Sequence, residues 1–300
     1  MSNVLATRPL HPFGIEVEVD LTGTLAQAEI AELRDLFDRH DLLLIRGDVL
    51  TMEAQLRFCS IFGPVLMSDS GLMSNDTVIG LAGVELAFHS DYGYSPEPLL
   101  AISLHAIDVV DGETSTRFSS GRLGYETLSL ELRERVAELS ALQVFGQNLD
   151  RRNRRAELDP VLPSSVHALS HEHKATGSRW LFAPQMMTDS IVGLPENESE
   201  AVIAEVFDAL YGPGQVLEHR WHNGDLVLFH NMRVVHARGD VSKIGHRVLQ
   251  RVTLGTKGYL DLYPHLANYE WDADGNLVEG DAFANSTTRI VANAPAKKSS

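Results

Sequence analysis

Residues 15–21 (IEVEVDL) alternate apolar and polar side chains, the pattern of a strand with one buried face. From Thr24 to His40 the period lengthens, and Leu25, Ile30, Leu33, Leu36 and Phe37 return on one face of a predicted helix. The run LLLI at 42–45 is short and wholly apolar, as in a buried strand, and ends at Arg46-Gly47. A second helix is predicted from Thr51, its N-cap, to Phe62, with Gly63-Pro64 as its stop. Strand and loop follow to about residue 118, then helices over Ser129–Leu142 and Asn197–Tyr211. Between those helices, Val166–Phe182 reads as two strands around a turn at Thr176-Gly177. The stretch from Gln215 to about Gly258 is again strand-rich. After about Ala284 the sequence becomes small and polar and is expected to form a flexible tail. With no repeat and no linker, residues 1–300 are expected to form a single α+β, mainly β, domain on an antiparallel barrel or sandwich.

Composition narrows the function. The formal net charge of −16 argues against a nucleic-acid partner, which needs a positive footprint. The one basic cluster, Asp150–Arg155, is expected to be a solvated face. No apolar run reaches eighteen residues, so no membrane span is expected, and the first residues lack the pattern of a secretory signal. Cys59 is the only cysteine and sits in a helical pattern as a buried thiol; a reducing, cytoplasmic setting fits.

The candidate chemistry starts at FHSDYG, residues 88–93. On a strand, positions i and i+2 share a face, so His89 and Asp91 would project together as two metal ligands. A third ligand would come from a non-adjacent strand, giving the two-histidine, one-carboxylate face used by non-haem Fe(II) oxygenases. His-x-Asp alone is a weak signal. Among the other histidines, His11 and His40 read as surface or capping residues. His171, His173, His219 and His222 sit beside turns, where exposure is the simpler reading. His236 follows the buried strand DLVLF and a short turn, with His230 as its local rival. Downstream, HRVLQRVT carries Arg247 and Arg251 four apart. By period 2 both face one side, with Val248, Val252 and Leu254 on the other. Two inward guanidiniums need anions, supplied either by ligands or by protein carboxylates.

These pieces together resemble the Fe(II)/2-oxoglutarate-dependent dioxygenase family of taurine dioxygenase and 2,4-dichlorophenoxyacetate dioxygenase. His89 and Asp91 match its His-x-Asp, and His236 its distal histidine. Arg247 and Arg251 stand at the family's offsets of eleven and fifteen residues beyond that histidine. Thr116 falls at the family's threonine when counted back from Tyr125-Glu126, although the glycine and acid of DGET instead point to Thr114. The Phe62-Gly-Pro64 segment, the 166–182 hairpin with His167 and His173, and the Met187–Leu194 segment also have counterparts. Where the family has Trp-Asp-Asn, this chain has Phe229-His230-Asn231, which brings a second imidazole near the site.

The resemblance implies a double-stranded β-helix, or jelly-roll, core with flanking helices. It implies Fe(II) held by His89, Asp91 and His236, and 2-oxoglutarate held by Arg247 and Thr116. O2 is then the oxidant, and succinate and CO2 are released as the substrate is hydroxylated. The retained Asp91 favours hydroxylation over halogenation; cleavage or desaturation are alternative outcomes. Arg251 implies a small carboxylate- or sulfonate-bearing substrate. Tyr92, Asn75, Met187 and His230 are further substrate-contact candidates, and Leu66, Phe182, Met186 and Met187 suggest that the substrate is partly hydrophobic. A homo-oligomer is implied as well. Two other classes use the same ligand set: a zinc hydrolase or cupin-like isomerase, and a non-catalytic binding protein. The first has no need of Thr116, Arg247 and Arg251 at these offsets, and the second usually lacks one of the ligands, whereas all three are present here.

Overall fold

Alternating burial and long-range register build two facing sheets. The computed structural model describes residues 4–74, 85–174, 176–241, 243–271 and 277–280. Its strands begin with Ala6–Pro9 (β1), Ile15–Glu18 (β2), Leu42–Ile45 (β3), Val65–Ser74 (β4), Leu86–His89 (β5), Ala101–Val109 (β6) and Ser115–Ser120 (β7). Ser140–Val144 (β8), Ser164–Ala168 (β9), Ser170–Glu172 (β10), Arg179–Leu181 (β11) and Thr188–Ile191 (β12) come next. Val216–Arg220 (β13), Leu226–His230 (β14), Val234–Arg238 (β15) and Arg247–Leu254 (β16) follow. The seven-stranded sheet runs β1-β2-β3-β14-β6-β16-β4, and the four-stranded sheet β13-β7-β15-β5. Within these two sheets only the β2–β3 pairing is parallel.

The sheets meet through a common interior. Phe118 of β7, Phe229 of β14, Leu104 and Ala106 of β6 and Leu249 of β16 pack together, with Phe118 and Phe229 edge to face at 5.1 Å. Side chains of the opposite parity point outward. Leu43, Leu228, Val252 and Leu254 meet the helices Gln27–His40 (α1) and Met52–Cys59 (α2). β3 is thus buried on both faces, which is why LLLI carries no polar alternation. α1 buries Leu33, Leu36 and Phe37; each such side chain contributes roughly 1.5–3 kcal/mol when fully buried. Its start is Gln27, later than Thr24, where the Glu29 carboxylate accepts the Ala26 N–H at 2.7 Å. Thr51 caps α2, accepting the Ala54 N–H at 3.2 Å, and Gln55 reaches across to Gln250 on β16. α2 ends at Cys59, with Phe62 in the turn beyond. Cys59 is buried, and burial pushes its thiol up to about 12.

Two expectations are corrected. The helix predicted over Ser129–Leu142 is Leu130–Ala137 (α4), preceded by a short helix at Gly121–Thr127 (α3), and it ends there because residues 140–144 pair with β9 and β12 as a central strand. The basic cluster is not a solvated face. Arg152 and Arg154 converge on Glu200 of the helix Glu196–Tyr211 (α5) at 2.6 and 2.8 Å, and both donate to the Asp189 carbonyl. The expected tail lies outside the described residues. Among those residues no helix is long and apolar enough to cross a membrane.

Candidate metal centre

The register of the small sheet creates the site. β5 and β15 run antiparallel, and His236 is the direct cross-strand partner of His89. Their rings lie 4.1 Å apart between centroids. The remote histidine therefore comes from the neighbouring strand in space, not from a non-adjacent one. Asp91 also departs from the simple period: β5 ends at His89, and Asp91 stands in the turn beyond it. Its Oδ1 is 3.5 Å from His89 Nε2 and 3.8 Å from His236 Nε2. One donor atom from each residue falls within 4.8 Å of the others; the cluster is the one such set among the described residues.

Asn231, wholly buried, holds that turn. Its Oδ1 accepts the Asp91 N–H at 2.9 Å, while its Nδ2 donates to the carbonyls of Asp91 at 2.8 Å and Leu99 at 3.1 Å. In the sequence Asn231 stands out only as part of Phe229-His230-Asn231; its role depends on the partner turn. Tyr92, the next residue, adopts a left-handed φ of +58°, a strained conformation for a side chain of its size.

The donor set fits a divalent transition metal. His89 Nδ1 donates to the Ala87 carbonyl at 2.9 Å, which leaves Nε2 with its lone pair directed at the cluster. Burial lowers the pKa of His89 and, with His89 alongside, brings that of His236 to about 3, so both rings are neutral, the form that can bind a metal. Burial alone would raise the Asp91 pKa. Arg251 and then the two histidines outweigh it and hold the carboxyl ionised below its ordinary range.

β16 supplies the cations from the facing sheet. Arg247, Leu249 and Arg251 pair with Val109, Ala106 and Leu104 of β6, all interior residues. The two arginines share that face by the two-residue period of β16, and a register shift in β6 between Ala106 and Asp108 brings Val109 onto the same interior as Ala106 and Leu104. Arg247 is 6% exposed, and burial followed by the charge of Arg238 pulls its pKa down to about 9. A guanidinium in that position gains from an anion. Arg251 meets a protein acid, with Nη2 2.6 Å from Asp91 Oδ2 and Nε donating to Thr253 Oγ1 at 3.1 Å. Of the alternatives open for Arg251, pairing with a protein carboxylate is the one seen.

The other candidates divide. Thr116 is buried on β7, on the face it shares with Phe118, and accepts the Trp221 Nε1–H at 2.9 Å. Its own hydroxyl proton is left to donate elsewhere. Thr114 is also buried, with a hydroxyl that has no hydrogen-bond partner among the described residues. Met187 packs its sulfur against Gly93, where a Cβ would come within 3.0 Å of that atom. Tyr92 donates its hydroxyl to Asp69 at 2.7 Å. Asn75 lies outside the described residues. His230 is corrected: Phe229 points inward, so the next strand residue points out, and the His230 ring stacks on Phe37 of α1 at 6.2 Å. His167 is tied to the Ser95 carbonyl, His173 to Thr176, and His219 to Asp225; His171 stacks on Trp180.

Two imidazoles and one carboxylate on a single face, between two sheets, define the metal-binding class of the 2-His-1-carboxylate centre. The sequence matches the taurine catabolism dioxygenase TauD, TfdA family over residues 6–253, and the chain belongs to that family. It is an oxidoreductase of the 2-oxoglutarate-dependent dioxygenases, with Fe(II), 2-oxoglutarate and O2 as cofactor and co-substrates. Among relatives, the alpha-ketoglutarate-dependent 2,4-dichlorophenoxyacetate dioxygenase of Cupriavidus pinatubonensis is 26% identical, covering 83% of this chain and 97% of its own. The pentalenolactone F synthase of Streptomyces arenae is 25% identical, over 81% and 92%. A solved taurine dioxygenase from Burkholderia xenovorans shares the fold, with a TM-score of 0.70, 24% identity, and coverage of 93% of this chain and 97% of that one.

Proposed function

We propose that the chain hydroxylates an unactivated C–H bond of a small, carboxylate- or sulfonate-bearing and partly hydrophobic molecule, within a jelly-roll core. The observation carrying this reading is the His89–Asp91–His236 cluster facing two arginines across one interior. His89, Asp91 and His236 would hold Fe(II), which, with 2-oxoglutarate and O2 bound, supplies the oxidising power for C–H attack. The chain's own residues set the geometry. Arg247 would receive the far carboxylate of 2-oxoglutarate on its planar fork, with the Thr116 hydroxyl donating beside it; Thr114 is the alternative donor. Arg251 holds Asp91 Oδ2 and so orients the other oxygen toward the histidines. It is also the cation closest to that carboxylate, and its exposed edge would receive the substrate's anion.

The apolar wall formed by Phe145, Met186 and Met187, with Tyr92 and Tyr94, would take the hydrophobic part. The relative acting on 2,4-dichlorophenoxyacetate handles a carboxylate joined to an aryl ether, a molecule of this shape. A hydrolytic zinc site would have no need of Arg247 and Thr116, and a non-catalytic protein would have no need of all three metal ligands. The test is turnover of 2-oxoglutarate with Fe(II) and ascorbate, followed by succinate release across a panel of aryl and alkyl carboxylates and sulfonates. Succinate that rises with a panel member, together with a hydroxylated product, supports the reading. No succinate under any condition rules it out.

A further inference from the structure

Next to the metal centre, four tyrosines close into a ring. Tyr92 lies 6.2 Å from Tyr94 and 5.8 Å from Tyr259, measured between ring centroids. Tyr263 completes the circuit, 6.2 Å from Tyr94 and 5.5 Å from Tyr259. Phe145 packs on Tyr94 at 5.1 Å, and Met186, Met187 and Leu158 belong to the same buried cluster. Only 3% of Tyr94 and 4% of Tyr259 are exposed.

An all-apolar setting would be served by phenylalanine, yet these rings carry hydroxyls. The Tyr92 hydroxyl is accounted for by Asp69. The hydroxyls of Tyr94, Tyr259 and Tyr263 are buried with no hydrogen-bond partner among the described residues; of the three residues, Tyr263 alone is part-exposed. A buried hydroxyl without a partner is costly, so three beside one active site, two of them on fully buried rings, point to a group that arrives with the ligand.

The ring is wired to the metal ligand by a closed path. Asp91 pairs with Arg251, Arg251 donates to Thr253, Thr253 donates to the Asp69 carbonyl at 2.9 Å, and Asp69 accepts from Tyr92, the residue following Asp91. A molecule anchored at Arg251, the partner of the residue before Tyr92, has the tyrosine ring as its neighbour. Two carboxylates, Asp69 and Asp91, already border this space and disfavour a second anion there.

We propose that Tyr94 and Tyr259 form a specificity subsite that donates hydrogen bonds to a neutral acceptor oxygen, a carbonyl or an ether, at the end of the substrate remote from its anionic group. The inference rests on the dioxygenase reading and adds to it the chemistry of the substrate's second end.

The experiment uses the full-length enzyme loaded with Fe(II) and 2-oxoglutarate without O2, and matched carboxylate pairs in which one member ends in a methyl ketone and the other in an isopropyl group. 4-Acetylphenoxyacetate and 4-isopropylphenoxyacetate make one such pair. By titration calorimetry the ketone should bind about 10-fold more tightly than its partner, the range of one to two net hydrogen bonds. Tyr94→Phe and Tyr259→Phe should each reduce that ratio toward one while leaving isopropyl binding unchanged. Ligand-free Tm should hold or rise in both variants, since no internal hydrogen bond is lost. Ketones that bind no better than their partners across the pairs would overturn the subsite, as would a ratio that survives both substitutions. A Tm drop of several degrees would show the hydroxyls to be structural and overturn it too. Succinate formation by the wild-type enzyme, measured alongside, tests the dioxygenase reading separately: its failure would sink that reading whatever the tyrosines bind.

Discussion

His89 and His236 are direct cross-strand partners on β5 and β15, with ring centroids 4.1 Å apart. Two neutral imidazoles held this close by backbone hydrogen bonds form a pre-organised pair, and Asp91 adds the charge. His236→Ala is expected to weaken Fe(II) binding by more than the roughly 10–100-fold that outer partners of a metal site are worth. Anaerobic titration calorimetry with Fe(II) measures this. A wild-type dissociation constant in a folded variant would show the ligand set to be wrong.

Asn231 carries the turn that presents Asp91. Asn231→Ala leaves the Asp91 N–H and the carbonyls of Asp91 and Leu99 without their buried partner. The expected loss is about 1–3 kcal/mol of stability and roughly 10–100-fold in metal affinity. Denaturant unfolding and metal titration on the same preparation give both numbers. Full stability with full affinity would mean that the turn holds itself.

Arg247 is buried on the interior face and depressed toward about 9, a cation that an incoming carboxylate would stabilise. Arg247→Met should raise the KM for 2-oxoglutarate about 30-fold or more, the equivalent of about 2 kcal/mol for a truncated charge pair. Thr116→Val should raise it several-fold through one lost hydrogen bond. Initial rates of succinate formation against 2-oxoglutarate decide between the threonines. If Thr114→Val shifts KM and Thr116→Val does not, Thr114 is the donor.

Glu200 is held at about 2, below its ordinary 4.5, chiefly by its hydrogen bond to Arg152, with Arg154 adding to the effect against burial. A depressed carboxyl stabilises the fold fully above about 4.5, and that contribution disappears as pH falls through about 2. The Glu200 side chain is 41% exposed, so solvent screening limits the effect to about 1 kcal/mol. Glu200→Gln should cost about that much in urea unfolding near pH 6 and almost nothing near pH 2. An equal loss at both pH values would assign the effect to packing of α5, not to charge.

Much of the site was legible in the chain because its signals are local. His-x-Asp, a histidine after a buried strand, and arginines four apart on one strand are all relationships within a few residues, fixed by the two-residue period of a strand. The same locality explains why the helices α1 and α2 were readable to within a few residues. What the chain could not display was how remote segments meet. Asp91 reaches the cluster from a turn, through Asn231, which stands at the end of β14. Arg251 turns out to hold Asp91, His230 faces α1, and Arg152 with Arg154 locks α5, because strand register and side-chain parity settle those partners. The tyrosine ring has the same origin: Tyr92 and Tyr94 follow β5 in the chain, and Tyr259 and Tyr263 follow β16. Sequence by itself singled out the candidates for metal and anion chemistry. Only the tertiary structure decided which of them touch, since that depends on pairing between strands far apart in the chain.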